Sequence, residues 1–128
     1  MNDPIPRPPA GQEPEPWPWP DALDAMTAAP EHHSILLENE RVRVLDTHIP
    51  PGDITAVHTH RWQSVYTILS WSDFVRRDDT GQVMLDTREG GPSLTPPATI
   101  WSEPLPPHTL ENVGESDIHL ISVELKGG

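Results

Sequence analysis

The stretch that decides the fold runs from Pro50 to Leu69 and reads PPGDITAVHTHRWQSVYTIL. It holds a His-x-His pair, His58 and His60, inside a sequence typical of a β-strand. Because side chains alternate across a strand, the two imidazoles project from one face and can converge on one point. The preceding Pro-Pro-Gly predicts a turn, since proline fixes φ and glycine accepts backbone angles that other residues resist. Two imidazoles on one strand face suggest a metal site.

Short strands separated by turns continue on both sides of this stretch. From residue 35 onward, apolar or alternating runs are typical of an all-β sandwich or barrel. Residues 41–46 alternate charged and apolar side chains, so the apolar side should face a core and the charged side water. Residues 118–125 are apolar on both faces, which predicts cover by the opposing sheet on one side and by a partner subunit or the N-terminal arm on the other. A homodimer is therefore expected. The predicted strands are 34–38, 41–49, 54–60, 64–69, 73–77, 82–86, 98–102, 108–112 and 118–125.

The N-terminal segment has a different composition. Residues 1–30 are predicted to form a Pro-rich arm, followed by one β-barrel domain over residues 31–128. Two interpretations of the arm stay open: a disordered tail, or a segment whose Trp17 and Trp19 dock on the barrel or on a second subunit. Residues 21–29 predict one short helix, with Asp21 as the N-cap and Pro30 forcing its end.

Composition excludes several classes of function. A chain of 128 residues fits one compact domain. Its formal net charge of -12 argues against nucleic-acid and anionic-membrane partners, which require clustered Lys and Arg. The absence of cysteine removes disulfides, thiolate zinc sites and cysteine nucleophiles. With no apolar run long enough to span a bilayer, we expect a soluble, cytoplasmic protein.

The spacing around the histidine pair resembles the first motif of the cupin family. That motif is Gly, five residues, His-x-His, three or four residues, and Glu. Gly52, His58 and His60 match it, whereas Ser64 or Val65 stands where the glutamate is expected. The resemblance implies an all-β fold, the cupin double-stranded β-helix or jelly-roll barrel, over about residues 35–125.

A third histidine completes a second motif. The second cupin motif ends Pro-x-Gly, two residues, His, three residues, Asn. His108 and Asn112 match it. Pro104-Leu105-Pro106 stands one position nearer to the histidine than Pro-x-Gly does in the motif, and the glycines of the motif are missing. Two motifs in the right order are more specific than an isolated His-x-His. Carried over position by position, the resemblance implies that His58, His60 and His108 are the metal ligands.

The missing glutamate shapes the expected chemistry. Three neutral imidazoles leave the charge of a divalent ion uncompensated, which favours anionic or chelating oxygen ligands. The carboxylate is lost unless Gln63 or Glu103 replaces it, and Gln63 should point away from the histidine face unless the strand bulges. The expected cofactor is one divalent metal ion; Fe, Zn, Ni and Mn are the candidates, since imidazole does not select among metals.

Two hypotheses about function follow. The leading one is a metal-dependent, dioxygenase-like enzyme acting on a small acidic or chelating oxygen-rich substrate, with Tyr66 or Glu103 handling protons. The alternative is a cupin that binds a small molecule without catalysis, or a structural module. On the alternation argument, residues on the same strand face as the histidine pair line the interior: Trp62, Ser64 and Tyr66. Gln63 joins this pocket if the strand bulges, and Trp101 adds to it from a facing strand.

Other polar residues have no motif support. The four remaining histidines, His32, His33, His48 and His119, are predicted to be surface or wall residues. Arg76 and Arg77 are flanked by aspartates, so a solvated hairpin face is favoured over a substrate-binding role.

Overall fold

The computed structural model describes residues 17–91 and 94–127. Within these ranges the chain is built mainly of antiparallel strands. A 3-10 helix, Asp21–Leu23, and a one-turn helix α1, Ala25–Ala28, precede the strands, and a second 3-10 helix, Thr87–Glu89, follows the sixth. The strands are β1 (His33–Glu38), β2 (Val42–Ile49), β3 (His58–His60), β4 (Ser64–Ser70), β5 (Phe74–Asp78), β6 (Val83–Asp86), β7 (Ala98–Ser102), β8 (Leu105–Asn112) and β9 (Ile118–Leu125).

The strands form two facing sheets. One sheet has the order β1-β2-β9-β4-β7 and the other the order β3-β8-β5-β6. The last strands, β8 and β9, each insert between earlier strands, so the chain winds as a jelly roll and does not form a simple meander. The predicted all-β double-stranded β-helix is confirmed.

Strand bounds agree with the alternation pattern except around the histidines. Strand β3 is limited to three residues, and Ile54 makes only an isolated bridge to Glu111. Strand β8 begins at Leu105, before its two prolines, where pairing with β3 is irregular and pairing with β5 has not begun. Proline lacks an N–H donor and is tolerated at such gaps in the ladder.

The core lies between the sheets. Its fully buried centre is formed by Ile49, Phe74 and Ile118, with partly buried apolar side chains packed around them. On β2 the burial alternates, but Arg43 belongs to the buried side and Val44 is only half-buried. The prediction that the charged side of residues 41–46 faces water is therefore wrong at Arg43, whose charge is met by buried acids described below.

The segment before β1 packs on the barrel. Asp24 has extended backbone angles that interrupt the predicted helix, and its carboxylate accepts the Met26 N–H. The predicted single helix over 21–29 with Asp21 as N-cap is thus wrong; Asp24 caps a shorter one. Ala25 and Ala29 are buried, and α1 contacts β1 and β3. The predicted arm lies partly outside the described residues, as far as residue 16. Among the described helices, none has the length and apolar character needed to cross a membrane.

Candidate metal centre

Three buried histidines meet inside the barrel. His33 comes from the start of β1, and His58 and His60 come from β3. One ring nitrogen from each can be chosen so that all three atoms lie within 4.8 Å of one another. Each of the three residues is at most 9% exposed. The group could hold a metal ion, and its donors are all imidazoles.

Backbone carbonyls fix the orientation of these rings. His58 Nδ1 lies 2.8 Å from the carbonyl oxygen of Ala56, and His33 Nδ1 lies 2.9 Å from that of Ala29. A carbonyl oxygen only accepts, so each Nδ1 carries the hydrogen and donates it. The Nε2 atoms of the neutral rings are therefore left with their lone pairs free, which is the arrangement of histidine ligands held by outer hydrogen bonds.

The contact between His58 and His60 is unfavourable without a cation. Their Nε2 atoms lie 3.2 Å apart. His60 Nδ1 lies 3.4 Å from Oε2 of Glu124, which as a carboxylate accepts the ring hydrogen. Two Nε2 lone pairs then face each other, and only a proton or a metal ion between them removes the repulsion. Nitrogens bound to zinc at about 2.05 Å with tetrahedral angles lie about 3.3 Å apart, close to the observed separation.

His108 lies beside this group. It is the cross-strand partner of His58, and its ring centroid lies 4.3 Å from that of His58 and 5.6 Å from that of His60. Its Nδ1 donates to the carbonyl oxygen of Pro106 at 2.7 Å, in the same local geometry as His58. The histidines with mutually close ligand atoms are His33, His58 and His60, so His33 enters the group and His108 borders it.

The carboxylate nearest the histidines comes from another strand. Ser64, at the position of the expected glutamate, is buried and pairs across β4 and β9 with Glu124. Glu124 is fully buried and approaches His60 from the Nδ1 side. Gln63 and Glu103 hydrogen-bond to each other at 3.0 Å, in an exposed pair. Glu124 therefore supports a histidine from outside, and the suggested substitutes do not reach the group.

A buried charge network surrounds Glu124. Arg43 Nε donates to Glu124 Oε1 at 2.6 Å, and both terminal nitrogens of Arg43 donate to Asp24 at 2.9 Å. Burial opposes the ionised form of all three side chains, but the hydrogen bonds outweigh it. They raise the pKa of Arg43 and lower the pKa of Glu124 and of Asp24. Glu124 therefore stays ionised and can accept from His60.

Burial keeps His33, His58 and His108 neutral. Burial, together with the proximity of His60, lowers the pKa of His33 to about 4 and that of His108 to about 3. Burial and the same neighbour strongly lower the pKa of His58. Neutral imidazole is the form that binds a metal ion, so a metal would not have to displace a ring proton at neutral pH.

The histidines border a cavity of about 150 Å³ between the sheets. Its wall is mostly apolar, with few polar groups. Tyr66 lies in the wall, and burial raises the pKa of its hydroxyl, which keeps it protonated. The described residues that line the cavity are His33, Thr47, Ile49, Thr55, His58, His60, Tyr66, Trp71, Phe74, Arg76, Leu85, Ile100, Leu105, His108, Leu110, Ile118, Leu120 and Ser122.

The other predicted wall and proton-transfer residues lie elsewhere. Trp101 is 51% exposed and, like Gln63, hydrogen-bonds to Glu103 outside the cavity. The guanidinium of Arg43 lies over the ring of Trp62, with the Arg43 Cζ atom 5.0 Å from the centroid of that ring.

A break between strands explains this placement. The alternation argument assumed one continuous strand beyond His60, but β3 and β4 belong to different sheets and residues 61–63 join them. The alternation of side-chain directions in β3 therefore does not continue through this connection into β4. Ser64 is buried, yet it is not among the cavity-lining residues.

His33 is the site residue that sequence reasoning missed. It was predicted to be a surface or wall residue, and the structure buries it against His58, with ring centroids 4.8 Å apart. No motif marks it, because its place depends on how β1 pairs with β2 and on the Ala29 carbonyl that holds its ring. Each of the other three histidines has its Nε2 within 3.1 Å of an aspartate oxygen: His32, His48 and His119.

The two sheets and the buried histidines define a cupin-type double-stranded β-helix, and solved structures agree. A cupin domain from Bordetella pertussis Tohama I matches with a TM-score of 0.59 and 21% identity, covering 74% of this chain and 92% of that chain. An uncharacterized conserved protein with a double-stranded β-helix domain from Klebsiella pneumoniae matches with a TM-score of 0.51 and 24% identity, covering 75% and 76%. No protein-family model matches the sequence, and no curated protein sequence matches it. The chain has the cupin fold.

Proposed function

We propose that this chain binds one divalent metal ion through His33, His58 and His60, with His108 available beside them. The observation that carries the proposal is the 3.2 Å separation of two Nε2 atoms whose rings both donate from Nδ1. A bound cation would convert this repulsion into coordination. The absence of a carboxylate among the three donors leaves the ion's positive charge for an oxygen ligand to neutralise.

The proposed activity is a dioxygenase-like oxidation of a small acidic or chelating substrate. A divalent ion held by imidazoles supplies Lewis-acid polarisation of a bound oxygen atom. The chain's own contributions are an apolar wall that limits water and, in that wall, Tyr66, whose hydroxyl stays protonated. The alternative, a cupin that binds a small molecule without turnover, would use the same cavity.

Metal binding is tested by histidine variants. Purified protein should bind about one Zn(II) per chain, and His58→Ala should weaken binding by more than about 100-fold, beyond the loss typical of an outer supporting group. His33→Ala should weaken it at least tenfold. His48→Ala is the matched control and should bind like the wild type, because His48 is half-exposed and its Nε2 lies 3.1 Å from Asp117, away from the group. Wild-type affinity in His33→Ala would remove that residue from the ligand set.

Turnover is tested separately. Protein loaded anaerobically with Fe(II) is mixed with oxygenated buffer and small 2-oxo and 2-hydroxy acids, and oxygen uptake is recorded. Uptake that requires both the acid and His58 supports the enzyme. Saturable acid binding without oxygen uptake, and without any other chemical change in the acid, supports the binding module.

We also propose a homodimer through strand β1. It is the edge of the five-stranded sheet, and three consecutive apolar side chains on it are exposed: Ile35 by 42%, Leu36 by 56% and Leu37 by 51%. An apolar edge strand that the described residues leave exposed on both faces favours pairing with a second chain.

A further inference from the structure

Arg76 stands out among the cavity-lining residues. Of the described residues that border the cavity, it is the one with a permanent charge, and neither Asp nor Glu is among them. Its neighbours across the sheet are Leu110 on β8 and Leu85 on β6, and both also line the cavity. The predicted solvated position is therefore wrong for Arg76, whereas Arg77 does form a half-exposed ion pair with Glu111.

The guanidinium is incompletely satisfied. Its Nε is buried and has no hydrogen-bond partner within the described part of the chain. Its Cζ lies 5.6 Å from the centroid of the Phe74 ring, a weak substitute for an anion. Burial of a charged donor without a partner is costly, and native proteins keep such groups mainly where a ligand or ion completes them.

Arg43, which is buried, shows how the fold treats a structural charge. Arg43 has two carboxylates, Glu124 and Asp24, within 2.9 Å of its nitrogens. Arg76 has no comparable acid in the described residues, although the chain has 20 acidic residues against 8 basic ones. Burial lowers the pKa of Arg76, in contrast to the raised pKa of Arg43. Among the described residues, the two sites therefore differ in the acids that Arg43 has and Arg76 does not.

We propose that Arg76 binds the carboxylate of a small acid that carries a second oxygen at carbon 2, such as a 2-hydroxy or 2-oxo acid, with that second oxygen facing the histidines. The assignment rests on the proposed metal centre for the second contact. The cavity of about 150 Å³ matches in size an engineered cavity that holds benzene, so the acid is small. A guanidinium donates two parallel hydrogen bonds to a carboxylate, which a neutral amide cannot accept equally well.

The experiment compares glycolate with glycolamide, which differ in charge and little in shape. Affinities are measured on Zn(II)-loaded protein for the wild type, Arg76→Met, Arg76→Lys and the control Arg77→Met. Arg76→Met should weaken glycolate at least tenfold, while glycolamide and Zn(II) affinities stay within about twofold. Arg76→Lys should recover part of the loss, and Arg77→Met should behave as the wild type.

A second readout separates this inference from the metal centre. The Nε–H resonance of Arg76 is followed by NMR during glycolate titration of both the Zn(II)-loaded and the metal-free protein, with assignment by its loss in Arg76→Lys. A shift with glycolate and none with glycolamide in either form supports the anchor, even if Zn(II) binding fails. An unmoved resonance in both forms, or equal glycolate affinity in Arg76→Met, overturns it while leaving the metal proposal standing.

Discussion

Replacing Glu124 with Gln removes the charge at the centre of the buried network while keeping its shape. Glu124 is fully buried and serves both Arg43, at 2.6 Å, and His60, at 3.4 Å. Removing one partner of a buried ion pair costs about 3–5 kcal/mol, because the other charge is left without compensation. Arg43 keeps its two bonds to Asp24, and the amide oxygen can still accept, so we expect a loss of about 3 kcal/mol.

The same substitution should weaken metal binding. His60 loses a charged acceptor at Nδ1, and outer partners of ligating histidines typically contribute 10- to 100-fold to metal affinity. Urea denaturation of the metal-free protein measures the first effect, and competition with a chelator for Zn(II) measures the second.

Glu111→Gln is the matched control. It also removes a carboxylate from an arginine, Arg77, at 2.9 Å, but both side chains are 31% exposed. Exposed ion pairs contribute at most about 1 kcal/mol. Among the described residues, no side-chain hydrogen bond connects Arg77 or Glu111 to the histidines. If Glu124→Gln unfolded at the same urea concentration as Glu111→Gln, the buried network would not stabilise the fold. Unchanged Zn(II) affinity would refute the supporting role of Glu124 toward His60.

Two further predictions concern stability. The metal-free protein should lose stability as pH falls from about 6.5 to 4.5. In this range the unfolded chain binds protons on His33 and His108, whereas the folded chain, in which their pKa values are about 4 and about 3, does not. Each histidine lowers the free energy of unfolding by about 2 kcal/mol by pH 5, and a urea midpoint that does not change over this range would contradict the prediction. Asn112→Asp should cost at least about 3 kcal/mol, since the buried side-chain nitrogen donates at 2.8 Å to the carbonyl oxygens of Ile49 and Ser116, which a carboxylate would repel. Asn39→Asp, where the side chain only accepts from backbone N–H groups, is its control and should change the unfolding free energy by less than about 0.5 kcal/mol. For the proposed dimer, Leu36→Lys should shift the protein to monomer in sedimentation velocity without unfolding it, and a wild type that sediments as a monomer would remove the proposal.

Local pattern was sufficient for most of the fold. Alternating apolar residues and Gly or Pro turns mark strands through short-range sterics, and the predicted strand at 118–125 coincides with β9. On β2 the same pattern predicted the wrong face for Arg43, which is buried. Its burial depends on Asp24 and Glu124, which are distant in sequence, and no local rule reports a partner of that kind.

The site was predictable only where contacts follow from one strand. His58 and His60 share β3, so their closeness follows from alternation. His33 reaches them through tertiary pairing. Arg76 shows an available signal that was not used: it lies two residues after the buried Phe74 on β5, and alternation alone places both on the same face.

The hydrogen bonds around the histidines tie the cavity to the chain before β1. The Ala29 carbonyl orients His33. Asp24 accepts hydrogen bonds from Arg43, which in turn donates to Glu124. Coupling between sites is reciprocal. If docking of residues 24–29 strengthens metal binding by orienting the histidines, metal binding strengthens that docking by the same free energy. Zn(II) should therefore slow proteolysis within this short segment, which lies in sequence outside the barrel. A protein that starts at residue 31 would retain all four cavity histidines yet bind metal more weakly.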